Sequence, residues 1–174
     1  GLAFISTEGT DRSSEPFVPD PIPRCPPLND KWNSGPEKRL RPYMFWAALQ
    51  MAKPDDRGLQ HPVLISIAQD IGSYAKDFLT LIKSEWDESN LPAFFTPPAD
   101  PEKADLWQKC LETCKDYFTD QSLQYELLSR GIVMHHGQMP GLLSRFLIAI
   151  VQERIAHVVI ATSTLSEGVN LPFE

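Results

Sequence analysis

Residues 158–173 read Val158-Val159-Ile160-Ala161-Thr162-Ser163-Thr164-Leu165-Ser166-Glu167-Gly168-Val169-Asn170-Leu171-Pro172-Phe173. The first four residues are apolar and mostly β-branched, which is typical of a strand buried in a parallel sheet. Hydroxyl side chains and a glycine follow, so this strand is predicted to open into a polar loop. Open α/β sheets bind ligands outside the carboxyl ends of their strands, so we expect a binding site here.

The residue types of this loop suit a phosphate-bearing ligand. The hydroxyls of Thr162, Ser163 and Thr164 can form hydrogen bonds with phosphate oxygens. Gly168 has no Cβ, so its backbone can approach a ligand closely. Taken alone, Thr162 would better suit the role of capping the turn at the end of the strand.

Two linked patterns in this part of the chain resemble a known family. Ala161-Thr162, Gly168-Val169-Asn170 and Leu171-Pro172 follow one another as in motif V of superfamily 2 nucleic-acid helicases, in the pattern shared by the superkiller-like and DEAD-box branches. Upstream, a short apolar strand ends in His135-His136-Gly137, and Pro140 opens an apolar helix, as in the same family. The resemblance covers residues 130–174 closely and residues 62–84 loosely.

The resemblance implies contacts with DNA or RNA at the carboxyl edge of the sheet. It assigns backbone contacts to Thr162 with Ser163 and Thr164, and places the His136-Gly137 turn on the nucleic-acid side. Arg145, on the following helix, would contact a phosphate or the other lobe, with an exposed salt bridge as the alternative. In the loosely matching part, Ser66 and Gln69 lie where the family has its motif IV contacts.

The resemblance also implies a nucleotide, with ATP and Mg²⁺ bound between two lobes of the intact parent. Gly168 and Asn170 match the positions that face it, and a carboxamide can bond ribose hydroxyls or order a water. The sequence contains no Gly-x-x-x-x-Gly-Lys-[Ser/Thr] loop, and Asp87-Glu88 does not follow an apolar strand as a DExx box should. The chain stops before the arginine of motif VI. We expect this fragment to bind no cofactor and to have no catalytic residue or ATPase activity of its own.

Composition sets further bounds. The 174 residues are 42% hydrophobic and 22% charged, enough for one ordinary core. No apolar run approaches the roughly 20 residues that span a bilayer, so no membrane partner is expected. Three cysteines without a disulfide pattern favour a reducing, cytoplasmic location. The net charge of −7 counts against a nucleic-acid binder without excluding one, because backbone contacts also use hydroxyls and amides.

The chain divides into three parts. Residues 1–6 are interpreted as the end of a preceding RecA-like lobe, and residues 7–58 as a Pro-rich interlobe linker. Within the linker, residues 7–41 are predicted to be extended, as a spacer or a docking ligand. A helix is predicted over 42–52 with Pro42 in its first turn. Its nearly all-round apolar side chains should be buried, and they are Tyr43, Phe45, Trp46, Leu49 and Met51.

Residues 59–174 are predicted to be an incomplete second RecA-like lobe, of class α/β, with a partial parallel sheet flanked by helices. The predicted strands are Pro62 to Ala68, with the apolar run Val63 to Ile67 inside it, Gly131 to Met134 and Val158 to Ala161. Between them lie a helix capped by Asp70, one beginning at Asp100-Pro101, one over about 120–129, and one over about 140–155. This order predicts right-handed crossovers.

Two alternatives remain from the residues themselves. Cys110 and Cys114 lie one turn apart on a helix and, with His135 and His136, have ligand types that zinc accepts. Core packing is the alternative for both thiols, because they lie on an apolar stripe. The rival to a helicase fragment is a non-catalytic α/β module, or a truncated remnant, that binds a protein or a sugar nucleotide through the same loops.

Overall fold

Three parallel strands form the centre of the structure, a computed structural model that describes residues 22–86 and 90–162. The strands are β1 (Val63–Ile67), β2 (Ile132–His135) and β3 (Val158–Thr162), and β3 lies between the other two. The predicted parallel sheet is therefore confirmed, and β1 is one residue shorter at each end than predicted. The strand order is new information, because nothing in the sequence indicated that the last strand is central.

Helices flank this sheet in the described part of the chain. They are α1 (Pro36–Ala52), α2 (Ile71–Thr80), α3 (Pro101–Phe118), α4 (Leu123–Leu128) and α5 (Gly141–Gln152). A short 3-10 turn (Asp30–Asn33) precedes α1, and a π-helical turn (Leu81–Glu85) continues α2. No helix among these residues is long and apolar enough to cross a bilayer.

The alternating side chains of β3 separate two hydrophobic cores. Val158 and Ile160 point into a core formed with α1 and α2, whereas Val159 and Ala161 point into a second core formed with α3 and α5. All four are essentially inaccessible to solvent. A strand buried on both faces gains apolar contacts from every residue, which explains its unbroken β-branched run. Burying one such side chain contributes about 1.5–3 kcal/mol.

Two predicted helix starts are confirmed at the level of individual hydrogen bonds. Asp100 accepts from the backbone N–H groups of Glu102 (3.1 Å) and Lys103 (3.0 Å), and Pro101 occupies the first position of α3. Asp70 accepts from the N–H of Ser73 at 3.3 Å. A side-chain acceptor at this position satisfies N–H groups that the first turn leaves free.

The prediction for the start of α1 was wrong. The helix begins at Pro36, so Pro42 lies in its interior rather than in its first turn. An interior proline costs about 3 kcal/mol because it lacks an N–H and crowds the preceding turn. Phe45 and Leu49 are completely buried on the same helix, and burying such side chains offsets that cost. Full burial of the helix was also wrong, because Tyr43 and Met51 are exposed.

The described part of the Pro-rich segment is not a free spacer. Trp32, in the 3-10 turn, is buried in the first core, and Cys25 and Leu28 pack against that core. The indole Nε1–H of Trp46 donates to the carbonyl of Pro23 at 2.7 Å. Residues 22–41 therefore belong to the folded α/β unit. Residues 1–21 lie outside the described residues.

Candidate functional site

The carboxyl ends of all three strands lie side by side. Thr162 on the central strand pairs with Ile67 of β1, and Ala161 pairs with His135 of β2. His136 thus follows β2 at the level where Thr162 ends β3. The structure brings together Thr162 and the His136-Gly137 turn, two sequence-predicted contacts that come from separate strands.

The turn after β2 has an ordered backbone. The N–H of Met139 donates to the carbonyl of His136 at 3.0 Å, and the N–H of Gln138 donates to the ring Nδ1 of His136 at 3.3 Å. This hydrogen bond closes the turn between the His136 side chain and the backbone two residues later. His136 is half-buried and Gly137 is exposed, so a ligand at the carboxyl edge of the sheet can reach the turn.

A second histidine, which the sequence offered only as a possible zinc ligand, joins this turn to α5. Nε2 of His135 lies 2.7 Å from the hydroxyl of Ser144, in the first turns of α5. Its Nδ1 is buried and has no hydrogen-bond partner among the described residues. Burial lowers the pKa of His135, and the neighbouring His136 lowers it further. The ring is therefore a neutral group that holds the start of α5 against the end of β2.

The carboxyl end of β1 opens into a groove of about 480 Å³ between β1, α1 and α2. Its walls include the exposed side chains of Ser66 and Gln69, the two residues that the loose resemblance singled out. The side chains from the helices were not anticipated, and they are Glu37, Arg41, Met44 and Tyr74. Arg41 and Glu37 fell in the stretch read as an extended linker, which hid their role.

A buried charge network joins α1 to α2 beside this groove. Arg41 donates to Asp77 (2.7 Å), Ser73 (2.8 Å) and Glu37 (2.7 Å), and its guanidinium lies 3.8 Å from the ring centre of Tyr74. The hydrogen bond from Arg41, followed by one from the Tyr74 hydroxyl, lowers the pKa of the Glu37 carboxyl. Because Glu37 accepts a hydrogen bond from the Tyr74 hydroxyl, it raises the pKa of Tyr74.

Lys38 completes the network. Its Nζ lies 2.6 Å and 2.7 Å from the two oxygens of Asp77, which is itself buried. Asp77 therefore receives charge-assisted bonds from two cations, and such bonds are the stronger class. Because Arg41 is engaged by two carboxylates, it is not a spare cation for an anionic ligand. The network instead fixes α1 against α2.

The remaining sequence-predicted residues divide into two groups. Arg145 is exposed on α5, just beyond Ser144, and forms no ion pair with any residue that the structure describes, so the salt-bridge alternative gains no support there. The others lie outside the described residues, and they are Ser163, Thr164, Gly168, Asn170 and the Asp87-Glu88 pair.

The zinc alternative finds no support in the geometry. Cys110 and Cys114 are fully buried in the second core, and burial raises their pKa values to about 12 and about 11. A thiol must lose its proton to bind zinc, so this environment opposes coordination. Within residues 22–86 and 90–162, no group of three His, Cys, Asp or Glu side chains is close enough to hold a metal ion.

Two buried histidines predict how stability depends on pH. Burial lowers the pKa of His135 and of His157 below the ordinary value of 6.5, so the unfolded chain takes up more protons than the folded chain below that pH. Stability is therefore fully present above about pH 7.5 and declines as the pH falls through about 6.5 toward the folded values. Urea unfolding at about pH 7.5 and about pH 5.5 measures this decline.

His157→Phe removes one contributor to that dependence. His157 is buried just before β3, and its Nδ1 has no partner in the described part of the chain. The variant should lose less stability on acidification than the unmodified chain. An unchanged loss would contradict the assignment of His157 as a neutral buried group.

Comparison with known protein families, with curated proteins and with solved structures gives no match for this chain.

Proposed function

We propose that this chain is part of the second RecA-like lobe of an ATP-dependent superfamily 2 helicase or translocase. The observation that carries the proposal is the meeting of Thr162 and the His136-Gly137 turn at one edge of a parallel sheet. The two motifs that resemble the helicase family are separated along the chain, yet the strand order makes their ends neighbours. That arrangement is what a shared ligand would require.

In the intact parent, the first RecA-like lobe would complete the helicase. ATP and Mg²⁺ would bind between the lobes, facing Gly168 and Asn170 on this one, and DNA or RNA would cross the carboxyl edge. Closing of the cleft on ATP binding, and its opening after hydrolysis and release, would shift the lobes along the strand. The loop after β3 would contact both the nucleotide and the nucleic acid. It would therefore couple ATP binding and hydrolysis to the affinity of the lobe for the strand.

The charge network supports treating α1 as part of the moving body. Arg41 and Lys38 on α1 are tied to Asp77 on α2, so α1 cannot slide on the sheet without breaking bonds to a buried carboxylate. A rotation of the lobe would therefore carry α1 with it.

Thr162→Val tests the nucleic-acid contact. Valine keeps the branched shape of the strand end and removes the hydroxyl, so the loss is one hydrogen bond to a charged backbone. Such a bond contributes about 1.5–3 kcal/mol, and we expect the dissociation constant for a single-stranded oligonucleotide to rise roughly tenfold. Fluorescence anisotropy measures it, and nucleotide affinity of the two-lobed parent should change less.

Thr162→Ser is the matched control, because it retains the hydroxyl and should retain affinity. Equal affinity of the valine and serine variants would remove the proposed role of Thr162. If the two-lobed parent hydrolyses ATP no faster with nucleic acid than without it, the helicase proposal itself fails.

A further inference from the structure

A second groove lies on the opposite side of Leu40 from the one described above. It measures about 620 Å³ and is lined by Asn33, Gly35, Pro36, Arg39, Leu40 and Tyr43. Leu40 and Tyr43 are 66% and 52% exposed, which is unusual for large apolar side chains on a helix that otherwise packs into a core. None of the described residues of the predicted nucleic-acid site contributes to it.

The chemistry of the lining is that of a base-binding surface. Tyr43 offers an aromatic face, Pro36 and Leu40 offer apolar surface, and Asn33 offers a carboxamide. Arg39 is exposed and forms no ion pair with the residues that the structure describes. Proteins that hold single strands combine aromatic faces, on which bases stack, with cations that follow the phosphates. None of the described residues that line the groove is acidic.

Charge also favours an anionic ligand on this side of the molecule. Residues 22–53 carry a net charge of +4, whereas the whole chain carries −7. Of the six basic residues in this segment, Lys31, Lys38 and Arg41 are paired with Glu85, Asp77 and Glu37. The other three form no ion pair with the residues that the structure describes, and they are Arg24, Arg39 and Lys53. Local positive charge attracts nucleic acid even when the chain as a whole is acidic.

The position of the groove links it to the carboxyl edge of the sheet. Glu37 and Arg41 of α1 line the groove at the end of β1, whereas Ala52, at the other end of α1, accepts a hydrogen bond from Gln60 just before β1. The first half of α1 thus lies at the carboxyl edge. Leu40 and Met44 are neighbours at i and i+4, one lining each groove, so the grooves are adjacent.

We propose that the groove at Arg39, Leu40 and Tyr43 binds one or more nucleotides of a single strand, with a base stacked on Tyr43 and a phosphate near Arg39. The strand is the one that crosses the carboxyl edge, so the choice of ligand rests on the proposed function. The site extends the contact surface of the lobe onto α1, a helix that the charge network holds rigidly in place.

The test is binding of a fluorescein-labelled oligouridylate or oligothymidylate of about 12 nucleotides to the 174-residue chain at low salt. Tyr43→Ala should raise the dissociation constant about tenfold, and Tyr43→Phe should leave it nearly unchanged because the ring remains. Arg39→Ala should lower the slope of log affinity against log salt by about 0.7, the value for one phosphate contact on a single strand. Met51→Ala is the control, since Met51 is exposed on the same helix outside this groove.

Wild-type affinity in both Tyr43→Ala and Arg39→Ala would overturn the proposal. So would a change in self-association without a change in oligonucleotide affinity, because that result assigns the surface to a protein. Loss of affinity in Thr162→Val alone would leave the proposed function standing and remove this groove. Loss of affinity in Tyr43→Ala alone would support the groove and remove the proposed contact at Thr162. An unmodified chain that binds no oligonucleotide would overturn the proposal for the groove, whereas the ATP hydrolysis of the two-lobed parent tests the proposed function separately.

Discussion

Replacing Gly131 by alanine is expected to lower the free energy of unfolding by about 3 kcal/mol. Gly131 has φ +80, a left-handed conformation that costs an alanine about 1 kcal/mol. An added Cβ would also lie 2.1 Å from Cγ of Phe95 and 2.6 Å from its Cβ. Those atoms are at the base of the side chain, so the ring cannot simply swing away. Chemical unfolding followed by circular dichroism measures the loss.

Gly58→Ala is the matched control for this prediction. Gly58 has φ +76, yet a Cβ there would meet nothing within 4 Å, so only the backbone term of about 1 kcal/mol applies. In a Phe95→Gly background, Gly131→Ala should likewise cost about 1 kcal/mol, because every side-chain atom that the new Cβ would meet, including the Cβ of Phe95, is then absent. Equal costs for Gly131→Ala in both backgrounds would show that the ring is not the obstacle.

The second large effect is expected at the buried carboxylate of the charge network. Asp77→Ala leaves Arg41, whose side chain is 10% exposed, with only Glu37 as an ionic partner. Breaking a buried pair by removing one partner costs about 3–5 kcal/mol, because the remaining charge stays desolvated. Lys38 is 36% exposed and can turn toward water, so we expect the lower end, about 3 kcal/mol. Urea unfolding measures it.

Two controls separate the cost of an unpaired charge from general damage. Asp105→Ala removes an ion pair with Lys109 in which both side chains are more than half exposed, and should change stability by no more than about 0.5 kcal/mol. Adding Arg41→Met to Asp77→Leu should restore much of the loss, because no buried charge then remains. A double variant as unstable as Asp77→Leu alone would contradict this account.

Local patterns identified most elements of the fold. The hydrophobic run at Val63–Ile67 and the caps at Asp70 and Asp100 each act within a few residues, so the sequence displays them directly. The exception was α1. Its proline and polar start hid a helix that begins at Pro36 because burial against the sheet outweighs local propensity.

Sequence patterns predicted only part of the candidate site. Thr162 and the His136-Gly137 turn belong to short motifs with a fixed residue order, so the order of residues alone reveals them. Sequence patterns did not reveal the roles of Arg41, Tyr74 and the His135–Ser144 pair. Their partners are distant in sequence, or their charge state changes on burial. No single-residue signal distinguishes an arginine that holds a buried carboxylate from one that faces water.

The sequence by itself determined that a buried parallel sheet is present, where its strands lie and which polar residues follow them, because these depend on periodicity and turn chemistry. Only the tertiary structure decided that β3 is central, that α1 belongs to the folded unit, and that two grooves flank α1 at the carboxyl edge. Strand order and groove walls arise from contacts between residues far apart in the chain. Their free energy depends on mutual burial, which no local stretch of sequence records.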